Sequence, residues 1–276
     1  MAFAGPSASD SSCRKFLKNI EFRVAQNAGD LEQAYALVHK EYLSRGYTHP
    51  SDSGVKVSIY NALPTTTTFV AVAEGQVIGT VSLIGDSTLG VPMDRIYKPE
   101  LDELRSRNLK LAEASMLAVR NDLFGKGVFL MLNSKKLSLV FNLFKLAFDY
   151  IHNVAGYDEV VIAVNPKHDL VYRFLFFEEL GPLRYYESAN GAPAIAKHIS
   201  VRQVQELKDQ CLLSGRRGLY KMFFGHQFPQ ESLQPTPLFS QREFENFFVQ
   251  KSAVLAKADP AQLEHLRSVY PRLKIG

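Results

Sequence analysis

Glu113 is the first residue that demands a chemical explanation. It stands in LAEASMLAV (111–119), a stretch that is otherwise apolar except for Ser115. If the stretch is a strand, side chains alternate between its faces. Leu111, Glu113, Ser115, Leu117 and Val119 then share one face. A carboxylate among leucine and valine costs free energy unless something pairs it. No basic residue shares that face within the stretch. Glu113 therefore either pairs with an arginine from 105–107 at the wet end of the strand, or lines a cleft. In a cleft, desolvation would raise its pKa and make it a general base near neutral pH.

A second group follows it. Gly125 and Gly127, in DLFGKG (122–127), would let backbone N–H groups approach a phosphate or simply form a turn. Arg120, Lys126, Lys135 and Lys136 cluster around them. They are either a solvated basic loop or a surface for an acidic partner. Further on, His168 and Tyr172 are four residues apart and would share one helix face. Cys13 and Cys211 have no metal-binding or redox spacing, and no metal site is expected.

These residues need elements to hold them. EFRVAQN (21–27) reads as a strand. A helix should start at Asp30, with Gln33 completing a capping box, and stop at Gly46. Residues 47–64 read as a loop. TTTTFVAVAEGQVIGTVSLIGDS (65–87) reads as a hairpin turning at Glu74-Gly75. A short helix (99–107) and the strand 109–121 follow. LSLVFNLFKLAFDYI (137–151) is helical and apolar on most of its surface, so it must be buried. Its polar line is only Ser138, Asn142, Lys145 and Asp149. A strand (158–164), a helix (168–180) and two short strands near 182–187 and 193–200 complete the core. Two capped helices, at Ser240/Glu243 and Asp259-Pro260/Gln262, lie beyond. The expected domains are a flexible tail (1–20), an α/β domain around a mixed sheet (21–200) and a helical C-terminal extension (201–276).

Composition narrows the classes. A net charge of +4 is too mild for nucleic-acid binding. The N-terminus lacks the apolar core of a signal peptide, and no apolar run is long enough to span a membrane. Cytoplasm is the expected location. The 19 Phe residues and absence of Trp suggest extended apolar lining.

The ordered set HKEYLSRGY (39–47), VIGTVSLIGDSTLGVPMD (77–94), ELDELRSRNLKLAEASMLAV (100–119) and VNPKHDLVYRFLFFEELG (164–181) resembles long-chain N-acyl amino acid synthases of the FeeM type. These are themselves similar to acyl-homoserine-lactone synthases within the GNAT acyltransferase superfamily. The resemblance implies a GNAT-like α/β fold. It implies N-acyl transfer from a phosphopantetheine thioester on acyl carrier protein (acyl-ACP) to an amino acid. No permanently bound cofactor is implied. Two positions depart from the lactone synthases, where Arg is found: here they are Ser82 and Met116. This disfavours S-adenosylmethionine as acceptor. Asp122 stands where CoA-dependent GNAT enzymes place a cationic or amide residue, which favours acyl-ACP over acyl-CoA.

The resemblance also implies roles. Glu113 would be the general base and Tyr172 the acid that protonates the leaving sulfur; packing on the sheet is the alternative for Tyr172. Backbone N–H groups of Leu117, Ala118 and Val119 would bind the thioester oxygen, with Gly125 and Gly127 near the phosphate. Phe141, Phe144 and Phe148 are core residues or the lining of an acyl tunnel. Arg120, Lys126, Lys135 and Lys136 would dock the carrier protein. The rival readings are a CoA-dependent acyltransferase acting on a small amine, and an acyl or carrier-protein binding module without turnover. The acceptor, the chain length and the oligomeric state are not legible.

Overall fold

The computed structural model describes residues 19–124, 134–214 and 224–275. Gly125, Lys126, Gly127 and most of the expected N-terminal tail lie outside the described residues. Runs of β-branched and small apolar residues form one sheet in the order β1-β2-β3-β4-β5-β7-β6. β1 (Glu21–Val24), β2 (Thr66–Ala73), β3 (Gln76–Gly85) and β4 (Leu111–Val119) are successively antiparallel. β4 and β5 (Glu159–Val164) are parallel. β7 (Ala192–Ser200) lies between β5 and β6 (Glu178–Tyr186), antiparallel to both. The hairpin turn falls at Glu74 and Gly75, both at positive φ as a tight hairpin turn requires.

Helices cover both faces. α1 (Ala28–Ser44) and α2 (Asp94–Ser106) contribute to separate clusters, and α3 (Ser134–Tyr150) contributes to a third. α3 is buried on nearly every side, including Leu139, Leu143, Phe144 and Leu146. Even Lys145, on its polar line, is buried. Its Nζ is 2.8 Å from Asp149 and lies over the Phe228 ring. The Lys145–Asp149 end of that line is therefore covered by chain from beyond residue 200, while Ser138 is exposed. Gly79 on β3 permits the close approach of α3: a Cβ there would stand 2.4 Å from Leu139 Cδ2.

Several boundaries differ from the sequence reading. α1 is capped by Asn27, whose side chain accepts from the Asp30 N–H. Asp30 itself holds Arg23 at 2.6 Å, so its carboxylate serves the β1 junction and not the cap. α2 begins at Asp94 and runs through Pro99, with a kink at Tyr97. The expected helix 168–180 is only α4 (Asp169–Phe174). Phe176 at φ 67 reverses the chain into β6, and Gly181 lies in that strand instead of ending a helix. Strands β6 and β7 pair tightly with each other, and that non-local pairing overrides the helical pattern.

Beyond β7, α5 (Val201–Leu213) leads to α6 (Gln241–Glu245) and α7 (Pro260–Val269). Both expected capping boxes form, at Ser240 and Asp259. This part packs on α1 and the sheet: Phe247 meets Tyr35 edge-on at 5.5 Å, and the Tyr270 hydroxyl donates to the Ala62 carbonyl at 2.9 Å. Among the described residues no helix is long and apolar enough to cross a membrane.

Candidate active site

The site begins with an irregularity in β4. Ser82 pairs with Ser115 and Thr80 with Ala118, so Met116 and Leu117 together face the single residue Val81. This is a β-bulge. Met116 adopts φ 55, a strained conformation for a non-glycine residue. On the other side, β4 pairs with β5 only from Leu111 to Glu113. Past Glu113 the two parallel strands separate, and a cleft opens between them. Small residues at 112, 114, 115 and 118 keep the opening free of bulk.

Two cavities meet in this gap. One, of about 180 Å³, is lined by β4 residues 114–119 and by Leu137, Val140, Phe144, His168 and Tyr172. The other, of about 250 Å³, is lined by Glu113, Lys56, Tyr60, Arg95 and Tyr186. Tyr42, Tyr47, Ser115, Met116, Ala163 and Asn165 line both, so they form a waist through the separated strands.

Glu113 is only 3% exposed. Its Oε2 accepts from the Met93 N–H at 2.7 Å. Met93 precedes α2, so its N–H is one of the amides the helix leaves unpaired at its start. Burial pushes the Glu113 carboxyl up to about 8; the Met93 amide and Ser115 oppose that rise. The alternative pairing with an arginine from 105–107 does not occur through Arg105. That side chain bridges Asp86, Asp94 and Asp102 at 2.7–2.9 Å. The bridge fixes the chain between β3 and α2, and through it the position of Met93.

Tyr172 faces the first cavity from α4, with its ring edge-on to Phe144 and Phe177. Burial raises its phenol pKa, with Tyr42 and Tyr47 adding to the rise and Arg45 opposing it. Burial also pushes Tyr42 up to about 12, again with a contribution from Tyr47. The three phenols and Arg45 are thus electrostatic neighbours. The Tyr47 hydroxyl is buried and has no hydrogen-bond partner among the described residues. His168 is pushed down to about 4 by burial and nearby cations, so it is neutral at pH 7.

The other expected residues divide. Leu117, Ala118 and Val119 line the first cavity, as does Phe144. Phe141 and Phe148 line a third cavity, of about 110 Å³, against α5 and residues 224–227; Phe144 faces this one as well. Arg120 pairs with Asp122 at 3.1 Å, and Lys40 approaches the same carboxylate at 3.7 Å. Asp122 is therefore not a bare negative charge at the loop. Lys135 is exposed, while Lys136 donates to Asn121 Oδ1 at 2.5 Å and lines the first cavity.

Where lactone synthases carry Arg, Ser82 bonds Thr68 and Met116 Sδ accepts from Asn61; Ser82 and Met116 are both buried. The sequence reading missed Tyr47, Lys56 and Arg95 as cleft residues. Tyr47 ends the quoted 39–47 stretch, but loop residues carry no periodicity that would aim them at β4.

A sheet opened beside a bulged strand, with a buried carboxyl at the gap, defines a GNAT-like acyltransferase. The model of the family "N-acyl amino acid synthase FeeM" matches residues 33–200, and the chain belongs to that family of N-acyltransferases. Among solved structures, FeeM, an N-acyl amino acid synthase from uncultured soil microbes, is 29% identical with a TM-score of 0.59. That likeness covers 71% of this chain and 96% of FeeM. TofI, in a ternary complex with an inhibitor and MTA, is 13% identical over 66% of this chain and 91% of its own, with a TM-score of 0.50. An N-acetyltransferase from Staphylococcus aureus Mu50 is 14% identical over 66% of this chain and 98% of its own, with a TM-score of 0.44. No curated protein matches the chain.

Proposed function

We propose that the chain transfers a long-chain acyl group from the phosphopantetheine thioester of acyl carrier protein to the amino group of an amino acid. The observation that carries this reading is the buried Glu113 carboxyl, which lines one of two mainly apolar cavities that meet in the gap between β4 and β5. The thioester lies in the β4–β5 gap, with its acyl chain toward Leu137, Val140 and Phe144. The acceptor approaches from the Glu113 side.

The amino acid arrives as an ammonium, and Glu113 takes its proton and passes it to solvent. The free amine attacks the thioester carbon, forming the C–N bond. The Val119 N–H binds the oxyanion in this reading. The Arg120 N–H donates to Ile78 on β3, so strand alternation turns the Val119 N–H toward the gap. Such a donor contributes about 2.7–4 kcal/mol at the transition state. Collapse breaks the C–S bond, and the thiolate takes a proton from Tyr172. The second amine proton leaves through Glu113 and restores the tyrosine by way of solvent. The products are an amide and a free thiol.

Apolar lining supports a long chain. Each buried methylene contributes about 0.8 kcal/mol, so twelve carbons gain on the order of 8–10 kcal/mol gross. Arg120, Lys135 and Lys136 support a carrier-protein donor; Lys126, Gly125 and Gly127 lie outside the described residues. The neutralised Asp122 favours a second reading of the donor, acyl-CoA, because it no longer repels a pyrophosphate. Incubating the chain with acyl carrier protein or CoA carrying fatty acyl groups and a pool of amino acids, with mass detection, tests all of this. An N-acyl amino acid product is expected from acyl-ACP. Absence of product from both donors refutes the synthase reading.

A further inference from the structure

The cavity beside Glu113 holds an unequal set of charges. Its lining contains one carboxyl, Glu113, and two cations, Lys56 and Arg95. Three neighbouring arginines are engaged, and Lys167 lies over the Tyr47 ring at 5.7 Å. Arg105 holds three aspartates, Arg184 holds Glu100 at 2.6 Å, and Arg45 holds Glu41 at 3.3 Å. Among the described residues, neither Lys56 nor Arg95 has a carboxylate within ion-pair distance; the Lys56 ammonium lies over the Tyr42 ring at 5.9 Å. Two of the four lining phenols, Tyr60 and Tyr186, are already committed as donors. Tyr60 donates to the Leu89 carbonyl at 3.4 Å, and Tyr186 to the Pro92 carbonyl at 2.7 Å. Glu113 and Arg95 both act electrostatically on these same two phenols, with opposite sign. The cavity is therefore lined by one acidic group and two cationic groups.

We infer that Arg95 and Lys56 form a carboxylate-binding subsite, which holds the acceptor by its carboxyl group while its amine meets Glu113. The inference rests on the amino-acid acceptor reading and adds the residues that enforce it. A free α-amino acid matches both signs of charge. An amine without a carboxyl matches only Glu113 and leaves the half-buried Lys56 ammonium without an anion, which is the costlier arrangement. Arg95 offers the planar fork that suits a carboxylate, and Lys56 a point charge.

The test compares KM and kcat for wild type, R95Q, K56Q and R95K at saturating acyl donor. The acceptors are the preferred amino acid, its methyl ester and its decarboxylated amine. Wild type is expected to prefer the amino acid over both analogues. R95Q and K56Q should each raise KM for the amino acid about ten- to a hundredfold, with a smaller change in kcat. Their KM for the decarboxylated amine should stay that of wild type. R95K should recover part of the loss. K98Q, an exposed residue of α2 that pairs with Asp102 and does not line the cavity, should leave all constants unchanged. If R95Q and K56Q keep the wild-type KM, or raise it equally for the amine, the subsite is refuted while the synthase stands. If wild type acylates the decarboxylated amine as well as the amino acid, the subsite is refuted and an acyltransferase remains. If wild type acylates no amino acid at all, the synthase reading has failed and takes the subsite with it.

Discussion

At the scale of the residue, the chemistry turns on a carboxyl that the fold holds at a cost. Glu113 has a native pKa raised from 4.5 to about 8. The native state therefore keeps a proton that the unfolded chain loses, and stability falls as pH rises from 4.5 toward 8. Glu113→Gln removes that dependence. The variant should be more stable than wild type by on the order of 3 kcal/mol at pH 7, with little difference at pH 4. Denaturant midpoints at the two pH values measure it. The same variant should lose turnover by about 10²–10⁴. In wild type, kcat/KM should climb with pH and level off near 8, because the base must be ionised. Tyr47 makes a complementary case. Its buried hydroxyl has no partner to lose, so Tyr47→Phe should leave stability within about 1 kcal/mol of wild type. Placed at the waist beside the Tyr42 and Tyr172 phenols, that hydroxyl is free for a bound thioester, and kcat should fall by about tenfold.

At the scale of the element, β4 and α3 position the reaction, and they differ in how far the sequence exposes them. The strand 111–119, its misplaced glutamate and the apolar helix behind it were legible, because periodicity and burial cost act within a single segment. The bulge at Met116 was not, since nothing in LAEASMLAV requires two residues to face one; the register with β3 decides it. Nor was the early end of α4, where pairing of β6 with β7 overrides a helical pattern. The short-range capping boxes at Ser240 and Asp259 were read correctly for the same reason that the Asp30 cap failed: a cap forms unless a tertiary partner, here Arg23, competes for the side chain. Phe144 on α3 faces both the first and the third cavity, so it divides the space available to an acyl chain. Phe144→Leu should shift the preferred chain about two carbons longer, since each added methylene then gains about 0.8 kcal/mol. Product profiles across donors of increasing length measure this. An unchanged profile would make α3 plain core.

At the scale of the whole molecule, cations line both cavities of the cleft, Arg45 and Lys136 the first and Lys56 and Arg95 the second, and the proposed docking patch adjoins the first. The net charge of +4 is spread thinly, so encounter with an acidic carrier protein has to come from a local patch. Arg120 and Lys135 are the members of that patch that do not line the cavity. Reversing both to Glu should therefore leave the chemical step intact and slow only docking. KM for acyl-ACP should rise by about tenfold or more at low salt, while KM for the same acyl group on pantetheine stays at the wild-type value. The gap between variant and wild type should close as ionic strength rises, because a Debye length of about 8 Å at physiological salt already screens surface charges. Equal KM values for wild type and variant at every salt concentration would place carrier docking elsewhere on the molecule. A parallel loss with acyl-pantetheine would mean that the substitutions had disturbed the cleft, through the contact of Arg120 with Asp122.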